Sequence, residues 1–413
     1  MNPVYYKIGV FLMAGFAAVL PFGPALPNIF SGLLIAYWLG GFLMGYWKLG
    51  KQELGWFLIC NGFVLFHLLS LYWSEDLNSG MEKASSWLLI PVLFLAHSSF
   101  RKYFRPGDFA RLLILFTCSL CLLSVVSLIA SVTSHGISFE TLSQNGLATA
   151  AIDFHYLGFS LYTAVALVLN LYLILYAPEN FPAWYKKLLG GILIFMGLIL
   201  LLLGSRTTLA VAATLSLGIV LAGRSRIRLS RVGKILIPLA LVSLIGFVSL
   251  NPVLKDKFKE AINFEGRYDI DENWGGRGFR ELIWNCAVHV SRAHPVLGVG
   301  LGDQKSELDY CYRQYRYQPL LVGGNNFNAH NIFLQALLTT GIIGLLLLLL
   351  AIGYPLLNSL KTGNTLYLLF ILLFFGTGLT ESHFNRNAMI LLFSFFNPLI
   401  WFALRPYEST ADS

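Results

Sequence analysis

Charge is what this sequence has least of. Only 12% of its 413 residues are lysine, arginine, aspartate or glutamate, about half the share of an ordinary soluble domain. With 56% hydrophobic residues and a mean hydropathy of +0.67, a water-soluble globular protein is excluded. Acidic residues are the scarcer sign, 21 against 29 basic ones, for a formal net charge of +8. Cysteine is also sparse, at five. Cys60, Cys118 and Cys121 fall in apolar runs, and the C-x-x-C spacing of the last two has no neighbouring metal ligands, which argues against a zinc ribbon. Cys286 and Cys311 fall in a polar segment and could pair if it faces an oxidising compartment. The first apolar run continues through Pro21 and Pro24 into a second without a convincing small-residue cleavage site, so no cleavable signal peptide is expected.

What is there is a succession of apolar runs, many of about 18 residues or more, enough to cross a bilayer core of about 30 Å as helices. Lipid cannot satisfy backbone polar groups, so the spans should be helical. The expected fold is an all-α polytopic membrane protein with about twelve spans. They are placed near 5–22, 27–46, 55–73, 85–98, 109–133, 155–176, 188–204, 207–223, 235–250, 331–354, 365–380 and 388–404. Three regions follow: helices in 1–250, one large polar loop in 251–330 containing amphipathic helices, and helices with a short tail in 331–413.

The basic residues give this arrangement a direction. With a cytoplasmic N-terminus, the inner connectors receive Lys48, Lys51, Arg101, Lys102, Arg105, Lys186, Lys187, the run from Arg224 to Lys234, and Lys361, with Arg405 on the tail. The short outer connectors hold only Lys83, Arg206 and Arg386. This is the positive-inside asymmetry. Both termini are then cytoplasmic and the loop 251–330 is external. The basic excess is thus a topology signal, with contact to anionic lipid headgroups along 224–234, and nucleic acid is not an expected partner.

Chemistry should gather where polar residues meet spans on the outer face. Arg206 lies in Gly-Ser-Arg-Thr-Thr, 204–208, between two apolar runs. A guanidinium there suits an anion site, because its fork binds phosphate oxygens in pairs. Arg277 and Arg280 open an amphipathic helix expected over 279–294, which Pro295 and the glycines of 298–302 end. His330 stands just before a span in Ala-His-Asn-Ile-Phe-Leu-Gln, 329–335. Imidazole titrates closest to neutrality and is the natural general base there. His155 heads another span, as a substrate contact or an interfacial anchor. Glu381, His383 and Arg386 share a polar turn between the last two spans. His289 and His294 are expected to pack or cap, and the acidic residues Glu265, Asp269, Asp271 and Glu272 to form a solvated loop. Tyr310, Tyr312, Arg313, Tyr315, Arg316 and Tyr317 interleave rings with guanidinium groups, suited to sugar rings or headgroups. Gly298, Gly300 and Gly302 mimic a dinucleotide loop, but no strand precedes them and they lie outside, so that reading fails.

Three motifs together resemble the O-antigen ligase and O-antigen polymerase superfamily: Arg-Glu-Leu-Ile-Trp (280–284), His-Pro-Val-Leu-Gly-Val-Gly (294–300), and Ala-His-Asn-Ile-Phe-Leu-Gln with Gly-Ile-Ile-Gly (329–344). Gly-Ser-Arg-Thr-Thr at 204–208 is a second anchor. The resemblance implies glycosyl transfer on the periplasmic face of a bacterial inner membrane, from undecaprenyl pyrophosphate to an acceptor hydroxyl, which in ligases belongs to lipid A-core. By position His330 matches the family's essential histidine and Arg206 and Arg280 its essential arginines, with Arg277 near enough to take Arg280's role. No cofactor and no metal are expected, and the displacement should be inverting. The motifs do not separate a ligase from a polymerase or from a ligase with a protein acceptor. A lipid-linked glycan transporter would instead need charge strung along a path through the membrane.

Overall fold

The computed structural model describes residues 3–47, 50–100, 106–135, 149–152, 154–176, 183–222, 276–321 and 327–403. The expected span 235–250, the basic run 224–234 and the acidic residues of 265–272 lie outside them. Among the described residues all regular structure is helical: α1 Pro3–Val19, α2 Ala25–Leu43, α3 Lys51–Leu69, α4 Leu77–Trp87, α5 Leu89–Phe100, α6 Pro106–His135 and α7 Tyr156–Tyr176. Then come α8 Ala183–Leu203, α9 Arg206–Ala222, α10 Gly276–Ala293, α11 Gln304–Gln314, α12 Ile332–Thr362, α13 Thr365–Thr377 and α14 Asn387–Ala403, with short helical turns between some of them. Five stretches are long and apolar enough to cross a membrane: 25–43, 51–73, 107–134, 156–176 and 332–362. Five more helices are apolar but shorter.

The chain forms two compact units, Met1–Leu120 with Arg280–Ser413, and Cys121–Phe279. In the first, α12 packs on α3, α14 on α5, and α5 also meets α2 and α3. Its centre is a cluster of rings in which Phe374 lies 4.8 Å from Phe393 and 5.6 Å from Phe384, centroid to centroid. Outward-facing Leu43 and Leu346 are left for lipid. In the second unit α7 packs against both α8 and α9, and so is buried along most of its first three turns. The connector from α8 to α9 is as tight as the sequence implied: Gly204, at φ +66°, is followed by Ser205, whose hydroxyl meets that of Thr208 at 2.8 Å.

One sequence motif acquires an unexpected job. The loop 294–300 inserts its backbone into a break in α12 at Thr340 and Gly341, where φ and ψ leave the helical region. The N–H of Ile342 donates to the Pro295 carbonyl at 2.9 Å, and those of Val299 and Gly300 donate to Leu338 and Thr339 at 3.0 and 2.8 Å. The loop thereby pairs with groups that the interrupted helix ladder would leave orphaned. Gly341 (φ 63°, ψ −162°) sits where only glycine is comfortable, and a Cβ on it would collide with the Val296 carbonyl. We expect Gly341→Ala to destabilise the protein by roughly 3 kcal/mol or more, since backbone strain and a clash with backbone add. A fall in the thermal midpoint of the purified protein in detergent checks it, and an unchanged midpoint refutes it.

The loop's far side is held too. Asp303 accepts the N–H groups of Glu75 and Asp76, each at 2.8 Å, while the hydroxyls of Ser70 and Ser74 accept from Leu301 and Gly302. Cys286 of α10 and Cys311 of α11 form a disulfide (Cα–Cα 5.7 Å), a pairing the sequence left open. α11 ends in a Schellman turn: Arg316 N–H donates to Arg313 O and Tyr317 N–H to Tyr312 O. The turn's left-handed position is Arg316, at φ 55°, where a non-glycine residue costs about 1 kcal/mol.

Candidate active site

The site grows from the segment that leads into α12. Asn331 is extended (φ −159°, ψ 121°) and its side-chain oxygen accepts the N–H groups of Phe333 and Leu334, both at 2.9 Å. This is an N-cap of the type asparagine favours. The Asn331 side-chain amide donates to the Leu379 carbonyl at 3.0 Å, and its backbone N–H donates to the Ser382 hydroxyl at 3.1 Å. Ile332 N–H donates to Gly378 O at 2.8 Å. The α12 start is thus fastened to the turn between α13 and α14. On the other side, Trp284 Nε1 of α10 donates to the Ala329 carbonyl at 2.9 Å, and Ala329 N–H donates to Gln335 Oε1 at 2.8 Å.

Between these fixings His330 is held in the left-handed region, at φ 42°. A non-glycine residue rarely sits there without surroundings that enforce it, and such residues concentrate at functional sites. Its N–H donates to Asn328 Oδ1 at 2.9 Å. Its ring points at Glu381, with Nδ1 3.3 Å from Oε2. The other carboxylate oxygen, Oε1, accepts from Arg280 Nη2 at 2.7 Å. One carboxylate therefore joins residues 101 and 51 positions away in the chain. The side chains of Arg280, His330 and Glu381 are 31%, 18% and 10% exposed, so the carboxylate is innermost and the two cationic-type groups lie nearer water.

Burial by itself pushes the Glu381 carboxyl up. The hydrogen bond and charge of His330 and the charge and hydrogen bond of Arg280 outweigh it and hold the group below its ordinary range. Glu381 is then an anion at neutral pH. An anion at Nδ1 fixes the proton of a neutral imidazole on that nitrogen and leaves the lone pair on Nε2, turned away from the carboxylate. Arg280 uses one N–H on Glu381, and its fork retains further donors for an anion. The chemical capacity of the trio is a base beside a cation, both oriented by one carboxylate.

The neighbouring histidine does something else. His383 is buried against the Phe374 ring (4.8 Å), with Nε2 2.9 Å from the Thr377 hydroxyl. Burial lowers its pKa to about 4, against the opposing charge of Glu381, so it packs as a neutral ring. Among the described residues no group of three or more His, Cys, Asp or Glu side chains comes together as a metal ligand set.

The other residues singled out in the sequence fall as follows. Arg206 is the half-buried first residue of α9 in the second unit. His155 is exposed ahead of α7 in that unit, where its Nδ1 accepts Leu157 N–H at 3.3 Å and its ring stacks on Tyr156, which makes it a cap on the helix. Arg277 lies in the first turn of α10. His289 meets the Tyr315 hydroxyl through Nδ1 at 3.1 Å, and His294 is exposed. Glu381 carries more of the site than its place in the sequence suggested. Its signal was there, an acidic side chain between two apolar runs in a chain with few acids.

Residues 191–349 match the model of a family described as O-antigen ligase, a stretch holding Arg206, Arg277, Arg280 and His330, with Glu381 beyond it. No curated protein matches the chain. Over residues 191–349 the chain is thus similar to the O-antigen ligase family, in agreement with the superfamily its motifs resemble.

Proposed function

We propose that this protein is a membrane glycosyltransferase of the O-antigen ligase type, which moves a glycan from undecaprenyl pyrophosphate to a sugar hydroxyl of lipid A-core. The observation that carries the reading is the single carboxylate shared by a histidine and an arginine at the head of α12. In this reading Nε2 of His330 takes the proton of the acceptor hydroxyl as its oxygen attacks the anomeric carbon. The bond from that carbon to the pyrophosphate oxygen breaks, and lipid pyrophosphate leaves with the electron pair. Charge grows on the leaving group, and Arg280 offers it a guanidinium already held in place. Arg206 and Arg277 are the further phosphate contacts that the family resemblance implies. The displacement is single and inverting. The donor arrives activated, so no nucleotide is needed.

The periplasmic placement of the site is part of the proposal and has two supports. The basic connectors favour an inner N-terminus, and a Cys286–Cys311 disulfide belongs to an oxidising compartment such as the periplasm. Full twelve-span topology, with both termini cytoplasmic, is part of the same proposal.

The test is reconstitution in proteoliposomes with lipid-linked glycan and lipid A-core. Glycan appearing on lipid A-core is the expected result. Lengthening of the lipid-linked donor instead would make the protein a polymerase, and consumption of neither substrate would overturn the reading.

A further inference from the structure

We propose that the exposed end of α11, with the adjoining face of α10, is a binding platform for an acidic saccharide, apart from the Glu381 cluster. It is formed by Tyr310, Tyr315, Tyr317, His289, Arg313 and Arg316. The proposal rests on the transferase reading for the source of the glycan, but not for the platform itself.

The first observation is Arg316. The left-handed position of a Schellman turn is where glycine is ordinarily found. This chain has 38 glycines, yet it places an arginine there at φ 55°. A strained backbone kept at an exposed site points to the side chain as the reason. Arg313 and Arg316 are both exposed, and among the described residues neither guanidinium is engaged in an ion pair or hydrogen bond. Two forks on one turn suit carboxylate or phosphate oxygens.

The second observation is the rings beside them. Tyr315 and Tyr317 stack at 5.7 Å with an interplanar angle of 22°. His289 meets Tyr315 edge-on at 5.4 Å and hydrogen-bonds its hydroxyl at 3.1 Å, so the first ring has a fixed orientation. Tyr310, at 63% exposed, and Tyr315, at 47%, offer ring area to solvent. Exposed tyrosines with an apolar face and a polar tip suit sugar rings.

The third is the foundation. The disulfide ties Cys286, one turn before His289, to Cys311, one turn before Tyr315. The surface is therefore organised before any ligand arrives, which lowers the entropic cost of binding. His289 lies on the same helix as Arg280, about 13 Å along its axis and about two and a half turns on, so it faces the opposite side and the platform is a surface separate from the cluster. Lipid headgroups fit less well. A helix lying in the interface needs an apolar outer face, and the exposed residues of α11 are Lys305, Ser306, Tyr310, Arg313 and Gln314.

The experiment uses the full-length protein in phosphatidylcholine nanodiscs. Probes are fluorescently labelled core oligosaccharide released from lipopolysaccharide, which carries phosphate and carboxylate, and neutral maltoheptaose. Saturable binding of the core oligosaccharide alone is expected, weakened at least tenfold in the double variant Arg316→Gly with Tyr317→Ala. Arg316→Gly alone should weaken binding with its thermal midpoint unchanged or raised, because glycine relieves the backbone. No binding by the parent protein, equal binding of maltoheptaose, or undiminished binding by the double variant would overturn the proposal. So would loss of the difference when phosphatidylglycerol is added to the nanodiscs, which would give the arginines to headgroups. His330→Ala is expected to bind normally. If that variant still transferred glycan, the assignment of the base would fall while the platform stood.

Discussion

Replacement of His330 by asparagine is expected to cut glycan transfer by at least about a hundredfold, the usual contribution of a positioned general base. Asparagine is the more informative variant because, unlike alanine, it tolerates the left-handed backbone that His330 adopts at φ 42°. Its amide cannot accept a proton from a hydroxyl. A loss in His330→Asn, at equal insertion and equal thermal midpoint, therefore reports the missing base and not a disturbed α12 cap. Alanine should lose as much activity and some stability as well. Transfer at the parent rate by either variant, measured in proteoliposomes with lipid-linked donor, would remove His330 from the chemistry.

The second large effect is expected at Glu381. Glu381→Gln keeps the shape of the side chain but removes the anion that both Arg280 and His330 address. Glu381 acts through its neighbours and so is a positioning residue. We expect turnover to fall about a hundredfold, as for other carboxylates that orient a catalytic imidazole, with a smaller change in the apparent affinity for donor. Glu381→Asp should recover part of the rate. Stability supplies an independent readout. The folded-state pKa of Glu381 lies below its ordinary value of 4.5, so its contribution to stability is present above that value. It is lost as the pH falls through the depressed folded value. The parent protein should lose thermal stability across that acid window more steeply than Glu381→Gln. Coincident pH profiles would show that the carboxylate is not ionised and paired as described.

The fold class was legible because membrane insertion writes itself into composition. Apolar runs and basic connectors report solvent partition, and solvent partition needs no tertiary contact. Tight connectors such as Gly204-Ser205 were legible for a similar local reason. Boundaries suffered where a local rule intervened. The expected span 85–98 is instead divided at Leu88 between polar α4, capped by Asp76, and apolar α5. His330 and Arg280 were legible as polar residues in costly places. Their meeting through Glu381 was not, because separations of 51 and 101 residues along the chain carry no distance. The same holds for Gly298 and Gly300. They read as a helix stop, yet their positive φ, the fit of Gly298 against α12 backbone and that of Gly300 against Ser70 and Ser74 exist only in three dimensions.

The interruption of α12 also bears on how the protein meets membranes of different thickness. An unbroken 31-residue helix would be about 46 Å long, well beyond a hydrocarbon layer of about 30 Å. Below Gly341 the remaining rod is about 31 Å and matches that layer by itself. The short upper piece, which carries the imidazole at its head, is anchored to protein through the 294–300 loop and the 378–382 turn. Hydrophobic mismatch is then expected to be met by tilt of the lower rod together with α3, on which α12 packs. On the proposed function, the groups assigned to the reaction are expected to keep their mutual alignment whatever the lipid around them.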